Sequence, residues 1–331
     1  MKSDPHSAGE FAFIAALAAK AAKTPEALGL GDDGAVLWMG DGRKLVLVAD
    51  MLQAGIHALG DAAPAQIACK ALRTNLSDLA AMGAQPAFYL STLCWPKNTD
   101  AAQKQTLITA LAEEQERFGI SLIGGDTIGG VGPFTISITM LGWARGPLLR
   151  RAGAQVGDDI WVSGTIGDGV LGLGVAQGFI SVAQEADAQF LRRRYEYPDP
   201  RLSLGIKLAS LAHCAIDVSD GLIADAAHLA AAANVCLCLD PDRVPLSEAA
   251  RGWLGREADR ENALETLMAG GDDYELLFTV PVAERALVKE ISQDIGLPLG
   301  RIGQVIAGQG VRLGKEGGPH REPRQTGFTH F

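Results

Sequence analysis

Lys44–Ala81 reads KLVLVADMLQAGIHALGDAAPAQIACKALRTNLSDLAA, and its two ends follow different periods. Lys44–Ala49 alternates and is rich in branched residues, which predicts a strand closing at Asp50. Pro64 then stands where helices naturally start, and Ile67, Ala71, Leu72 and Leu76 follow at helical intervals up to Ala81. A strand and a helix in that order are the unit of a mixed α/β fold.

The same alternation extends outward. Phe11–Lys23 is alanine-rich with helical spacing. Phe88–Cys94 reads as a strand, Ala101–Phe118 as a helix, Ser121–Ile123 as a short buried strand and Phe134–Leu141 as a longer alternating one. Further strands are expected at Ile160–Ser163, Ala215–Val218, Val235–Leu239, Glu275–Val280 and Leu299–Val305. Helices are expected between them near Val170–Ala176, Asp187–Tyr195, Leu202–Ala212, Ile223–Ala233 and Val282–Asp294. At 331 residues the chain exceeds one comfortable core. The turn-rich stretch Ala144–Asp159, with Pro147, marks the junction. The expectation is two mixed α/β (α+β) domains, 1–148 and 149–331.

The balance of 29 basic and 39 acidic residues gives a formal charge of -10, which repels nucleic acid and anionic membrane. A polyphosphate ligand would need metal ions or local basic groups. Cys69, Cys94, Cys214, Cys236 and Cys238 are scattered and odd in number, which predicts reduced thiols and a cytoplasmic protein. Met1–Glu10 lacks the apolar core of a signal peptide, and Phe11–Ala19 and Leu229–Leu239 are too short to span a bilayer.

The chemistry lies in where the aspartates fall: Gly31-Asp32-Asp33, Asp50, Asn75-Leu-Ser77-Asp78, Gly124-Gly125-Asp126-Thr127, Asp217-Val-Ser219-Asp220-Gly221 and Gly270-Gly271-Asp272-Asp273. Each alone is an ordinary turn or helix cap. Together, several at the ends of apolar strands, they point to a ligand site. Magnesium takes hard oxygen ligands, usually one or two carboxylates with phosphate and water. A large excess of carboxylates therefore suits several Mg²⁺ ions on a polyphosphate. No G-x-x-x-x-G-K-[ST] loop, H-E-x-x-H or G-x-S-x-G occurs. Gly167–Gly172 matches G-x-G-x-x-G after a strand, but sits mid-chain and leaves the aspartates unexplained.

These residues, in this order, resemble the thiamine-monophosphate kinases, members of the aminoimidazole ribonucleotide synthetase-like ATP-binding superfamily. The likeness runs from GEF at Gly9–Phe11 through NLSDLAAMGA (Asn75–Ala84), LIGGDT (Leu122–Thr127), DVSDGL (Asp217–Leu222) and GGDDYELLFTVP (Gly270–Pro281) to the closing GFTHF. It implies transfer of phosphate from ATP to thiamine monophosphate in a homodimer formed through strands of the N-terminal domain. It implies Mg²⁺ ligands Asp33, Asp50, Asp78, Asp126, Asp217 and Asp220, and ATP contacts at Phe118, Gly125, Asp126, Arg151 and Ser219. His57, Asp272 and Phe328 would face the thiamine substrate. Three positions depart from the family pattern: Val48 and Ala49 replace hydroxyl residues, Phe118 stands where Tyr is common, and Asp272 is a methylene shorter than the frequent Glu. Other superfamily enzymes are alternatives, although no Cys precedes Cys69 and the chain ends in Thr329-His330-Phe331. A non-catalytic Mg-nucleotide regulator is a further alternative.

Overall fold

The structure is a computed structural model that describes residues 10–22 and 24–327. In chain order its first half runs α1 (Glu10–Ala21), β1 (Ala35–Trp38), β2 (Lys44–Gln53), α2 (Pro64–Ala81), β3 (Gln85–Pro96), α3 (Ala101–Phe118), β4 (Ser121–Gly130) and β5 (Thr135–Ala144). The second half runs β6 (Asp159–Ser163), α4 (Asp168–Ala176), α5 (Glu185–Glu196), α6 (Leu202–Leu208), β7 (Cys214–Asp217), α7 (Leu222–Ala233) and β8 (Cys236–Leu239). It ends with α8 (Glu248–Leu254), α9 (Arg260–Ala269), β9 (Leu276–Val280), α10 (Arg285–Ile295), β10 (Leu299–Ile306) and β11 (Gly310–Leu313).

Two mixed sheets result. The first has five strands in the order β1-β2-β5-β3-β4, and the second six in the order β11-β8-β10-β6-β9-β7. β3/β4 and β11/β8 pair parallel, and the other neighbours antiparallel. The mixed α/β expectation holds.

α2 is the element that places the site. Pro64 opens it at a position where a missing N–H costs nothing. It is buried on nearly every side. One flank packs on the first sheet and another meets α6 and β7 of the second half. Close approach to α6 depends on Gly205, where a Cβ would lie 2.0 Å from the Ala80 carbonyl oxygen. By contrast α3 buries only Leu107, Leu111 and Glu114, the stripe of a surface helix, with an Asp100/Gln103 capping box and Gly119 left-handed at its end.

Two strands differ from expectation. β2 does not stop at Asp50: it pairs with β5 from Lys44↔Ala144 to Gln53↔Thr135, so Asp50 is a mid-strand residue. β4 is ten residues long and exposed along almost all of it, with Ile123 56% exposed rather than buried. Among the described residues it is the outermost strand of its sheet, with no further strand paired beyond it. Gly125 sits against β3 so closely that a Cβ would come within 1.9 Å of the Ser91 carbonyl oxygen. The elements β1, α8, α9 and β11 were not anticipated. The five cysteines are free thiols as expected, and burial pushes Cys238 up to about 11, so it stays protonated.

Candidate active site

Lys70, Thr74, Ser77 and Asp78 fall at i, i+4, i+7 and i+8, one face of α2. That face carries the polar groups of the site. Thr74, whose Oγ1 donates to Ala71 O at 3.1 Å, opposes the rise that burial gives the Asp50 carboxyl on the neighbouring strand β2. Ser77 Oγ donates to Asp217 Oδ2 at 2.7 Å, joining α2 to the end of β7. Asn75 instead turns back on the helix, its Nδ2 donating to Ala71 O at 2.8 Å. The NLSD wording thus mixes a helix-internal residue with two that face the second half.

Asp33, Asp78 and Asp217 converge, each offering a carboxylate oxygen within 4.8 Å of the others. Burial raises all three pKa values, with Arg151 opposing. Asp78 is also raised by Asp50 and Asp217, and Asp217 reaches about 8 by burial and then by Asp33. Asp33 Oδ2 is buried, and among the described residues no hydrogen-bond partner reaches it. A buried carboxylate oxygen left unpaired beside two more carboxylates is a place short of positive charge, and hard oxygen donors at this spacing fit a divalent cation. Arg151 is paired with this cluster, its Nε donating to Asp33 Oδ1 at 3.0 Å. Its neighbour Arg150 pairs with Asp32 at 2.6 Å, so Arg150 and Arg151 both reach back to the Gly31-Asp32-Asp33 turn.

A cavity of about 590 Å³ opens beside this cluster. Asp50, Asp78, Asp217, Ser219, Asp220 and Arg151 line one side of it, and His57 and Asp272 also line it. The expected residues therefore largely meet in one place. His57 Nδ1 accepts the Gln53 N–H at 3.1 Å, which puts the proton of the neutral ring on Nε2. Asp272 and Tyr274 take φ values of 70° and 52°, strained for residues other than glycine. Gln325, Thr326 and Gly327 reach the same wall. Phe328 lies outside the described residues.

The structure adds residues the sequence reading missed. Asp225 and His228 form a second oxygen–nitrogen group with Asp220, all within 4.8 Å. Burial and then Asp220 raise Asp225, and burial and then Arg151 lower His228. Their i, i+3 spacing on α7, directly after DVSDGL, was the available signal. Tyr195 lines the cavity from α5, and Lys70 stands behind it.

Other expected residues stand apart. Asp126 pairs with Thr92, which alternates with the inward-facing Tyr89, Ser91 and Trp95. Asp126 therefore lies on the open face of the first sheet, away from α2. It and Gly125 are absent from the cavity wall. Phe118 packs at the end of α3, 5.6 Å from the guanidinium carbons of both Arg73 and Arg117. The G-x-G-x-x-G match is also explained: Gly167 N–H and Gly169 N–H donate to Asp273 Oδ2 and Oδ1 at 2.7 and 2.9 Å. The chain's own carboxylate fills the helix start that a dinucleotide phosphate would need.

Residues 31–144 match the family AIR synthase related protein, N-terminal domain, and residues 155–316 match AIR synthase related protein, C-terminal domain. The thiamine-monophosphate kinase of Caulobacter vibrioides is 41% identical over 307 residues, covering 92% of this chain and 86% of that protein. That of Escherichia coli K12 is 38% identical over 327 residues, 98% of each. The solved structure of AaThiL complexed with AMPPCP and TMP superposes with a TM-score of 0.84 at 30% identity, covering 98% of this chain and 97% of that one.

Proposed function

The chain belongs to the AIR synthase related family and, within it, to the thiamine-monophosphate kinases, and from that premise we propose how its residues carry phosphate from ATP to thiamine monophosphate. The observation that carries the reading is the meeting of Asp33, Asp78 and Asp217 at the edge of a cavity whose wall also holds His57 and Asp272. A polyphosphate and a cationic heterocycle need those two unlike surfaces side by side.

Asp33, Asp50, Asp78, Asp217 and Asp220 would hold magnesium, which when bound neutralises charge on the phosphoryl oxygens. Arg151 exchanges its ion pair with Asp33 for the phosphates of ATP, and Ser219, between β7 and α7, contacts the nucleotide. Asp272 and His57 orient thiamine monophosphate. Its phosphate is already ionised at neutral pH, so no side chain acts as general base. Positioning for direct in-line transfer, without a phosphoenzyme, is then sufficient.

The roles of Gly125, Asp126 and Phe118 in binding magnesium and ATP, and of Phe328 in facing the substrate, rest on the resemblance alone. The division at 148/149 is supported by each sheet drawing all its strands from one side of it. A homodimer is supported by the open face of the first sheet, where Met51, Phe88, Leu90 and Ile128 are exposed. A cytoplasmic setting suits an ATP-using enzyme with five free thiols.

The test is an assay of purified protein with ATP, Mg²⁺ and thiamine monophosphate, following thiamine diphosphate with and without EDTA. Formation of thiamine diphosphate that EDTA abolishes is the expected result. No product despite tight ATP binding would refute the substrate assignment, and labelled phosphate trapped on the protein would refute direct transfer.

A further inference from the structure

Lys70 is a charged residue in a core position. It is 2% exposed on α2 and does not touch the cavity. Its ammonium nevertheless reaches three residues that do. Nζ lies 2.7 Å from Asp272 Oδ1, donates to the His57 carbonyl oxygen at 3.0 Å, and stands 3.9 Å from the centre of the Tyr195 ring. An ammonium has three N–H donors, and here a carboxylate, a carbonyl and a π face receive them.

The three partners come from separate parts of the chain: the loop between β2 and α2, the loop between α9 and β9, and α5. Nothing local brings them together. Asp272 sits on strained backbone, at a φ of 70°, so a relaxed loop would not place its carboxylate there. An apolar side chain would fill the same volume on α2 without the cost of burying a charge. These three contacts are what offset the cost of burying the Lys70 charge.

We infer that Lys70 is a positioning residue for the thiamine end of the cavity: it fixes the Asp272 carboxylate and the His57 loop without contacting either substrate. The inference rests on reading the cavity as the thiamine monophosphate site. With Oδ1 held by Lys70, the Asp272 carboxylate presents one orientation to the cationic ligand. Tyr195, held under the same ammonium, closes the adjoining wall.

The test compares wild type with Lys70→Met, Asp272→Asn and the double variant, varying thiamine monophosphate and ATP separately. Lys70→Met is expected to raise KM for thiamine monophosphate about 10-fold while KM for ATP stays within about twofold. The double variant is expected to be no worse than Asp272→Asn, because Lys70 acts through that carboxylate. It also removes both charges together, so it remains measurable should Lys70→Met alone fail to fold. An unchanged KM for thiamine monophosphate, equal rises for both substrates, or additive losses in the double variant would overturn the inference. A wild type that forms no thiamine diphosphate refutes the underlying functional reading and the inference with it. A wild type that turns over while the variants behave in any of those three ways refutes the role of Lys70 alone.

Discussion

Replacing Ser77 by alanine removes one oxygen from a fully buried position, and that oxygen donates a 2.7 Å hydrogen bond to Asp217 Oδ2. A hydrogen bond to a charged acceptor contributes about 1.5–3 kcal/mol, equivalent to about one to two pH units on the acceptor. Asp217 already sits at about 8 in the cation-free protein, raised by burial and then by Asp33. Its folded value lies above its unfolded one, so this group's contribution favours the fold at low pH and is lost as pH rises through about 8. Cation binding works the other way, since it requires the ionised form. Roughly one-tenth of Asp217 is ionised at pH 7, and the loss of Ser77 lowers that to roughly one-hundredth or less. Magnesium binding to Ser77→Ala at pH 7 is therefore expected to weaken about 10- to 100-fold, and the deficit to shrink by pH 9. Titration calorimetry of Mg²⁺ without nucleotide, at both pH values and in two buffers of different ionisation enthalpy, reads the affinity and the proton released together. Unchanged affinity at pH 7, or a deficit as large at pH 9, would refute the claim that Asp217 must lose a proton to hold the ion.

Arg73 makes two 2.7 Å bonds to Glu114 and reaches the Tyr197 and Pro198 carbonyl oxygens at 3.2 Å each. Arg73→Met leaves the Glu114 charge buried and unpaired and is expected to cost about 3–5 kcal/mol. A urea midpoint indistinguishable from wild type would count against this. Gly205→Ala drives a Cβ to 2.0 Å from Ala80 O. It should destabilise by about 1–3 kcal/mol or more as α6 moves off α2, read as a lowered thermal midpoint, and an unshifted midpoint would show that α6 has slack. Ile128→Lys places a charge on the open face of the first sheet, where Ile128 is 57% exposed. Light scattering should find a monomer, and a persisting dimer would remove this face from the interface.

Much of the site was legible because local chemistry writes it. Asp33, Asp217, Asp220 and Asp272 stand beside glycines or at a strand end, Asp50 and Asp78 were carried by their motifs, and all but Asp33 line one cavity, with Asp33 in the carboxylate cluster at its edge. The bounds of α2 followed from a proline start and a 3.6-residue stripe. Strand ends were less legible, because a strand continues for as long as its neighbour pairs with it. β2 passes Asp50 since β5 runs alongside, and β4 reaches Gly130 since β3 does. That extension puts Asp126 on the open face.

Composition and spacing by themselves determined a mixed α/β chain rich in carboxylates suited to magnesium and polyphosphate, with the order of motifs carrying the family. Tertiary structure decided which charges meet. Arg151 answers Asp33 across 118 positions, and Ser77 answers Asp217 across 140. Lys70, unremarkable in a helical stripe, holds Asp272 and His57 together. Periodicity is a property of neighbours along the chain, whereas the pairing of a buried charge depends on which distant segment burial brings against it.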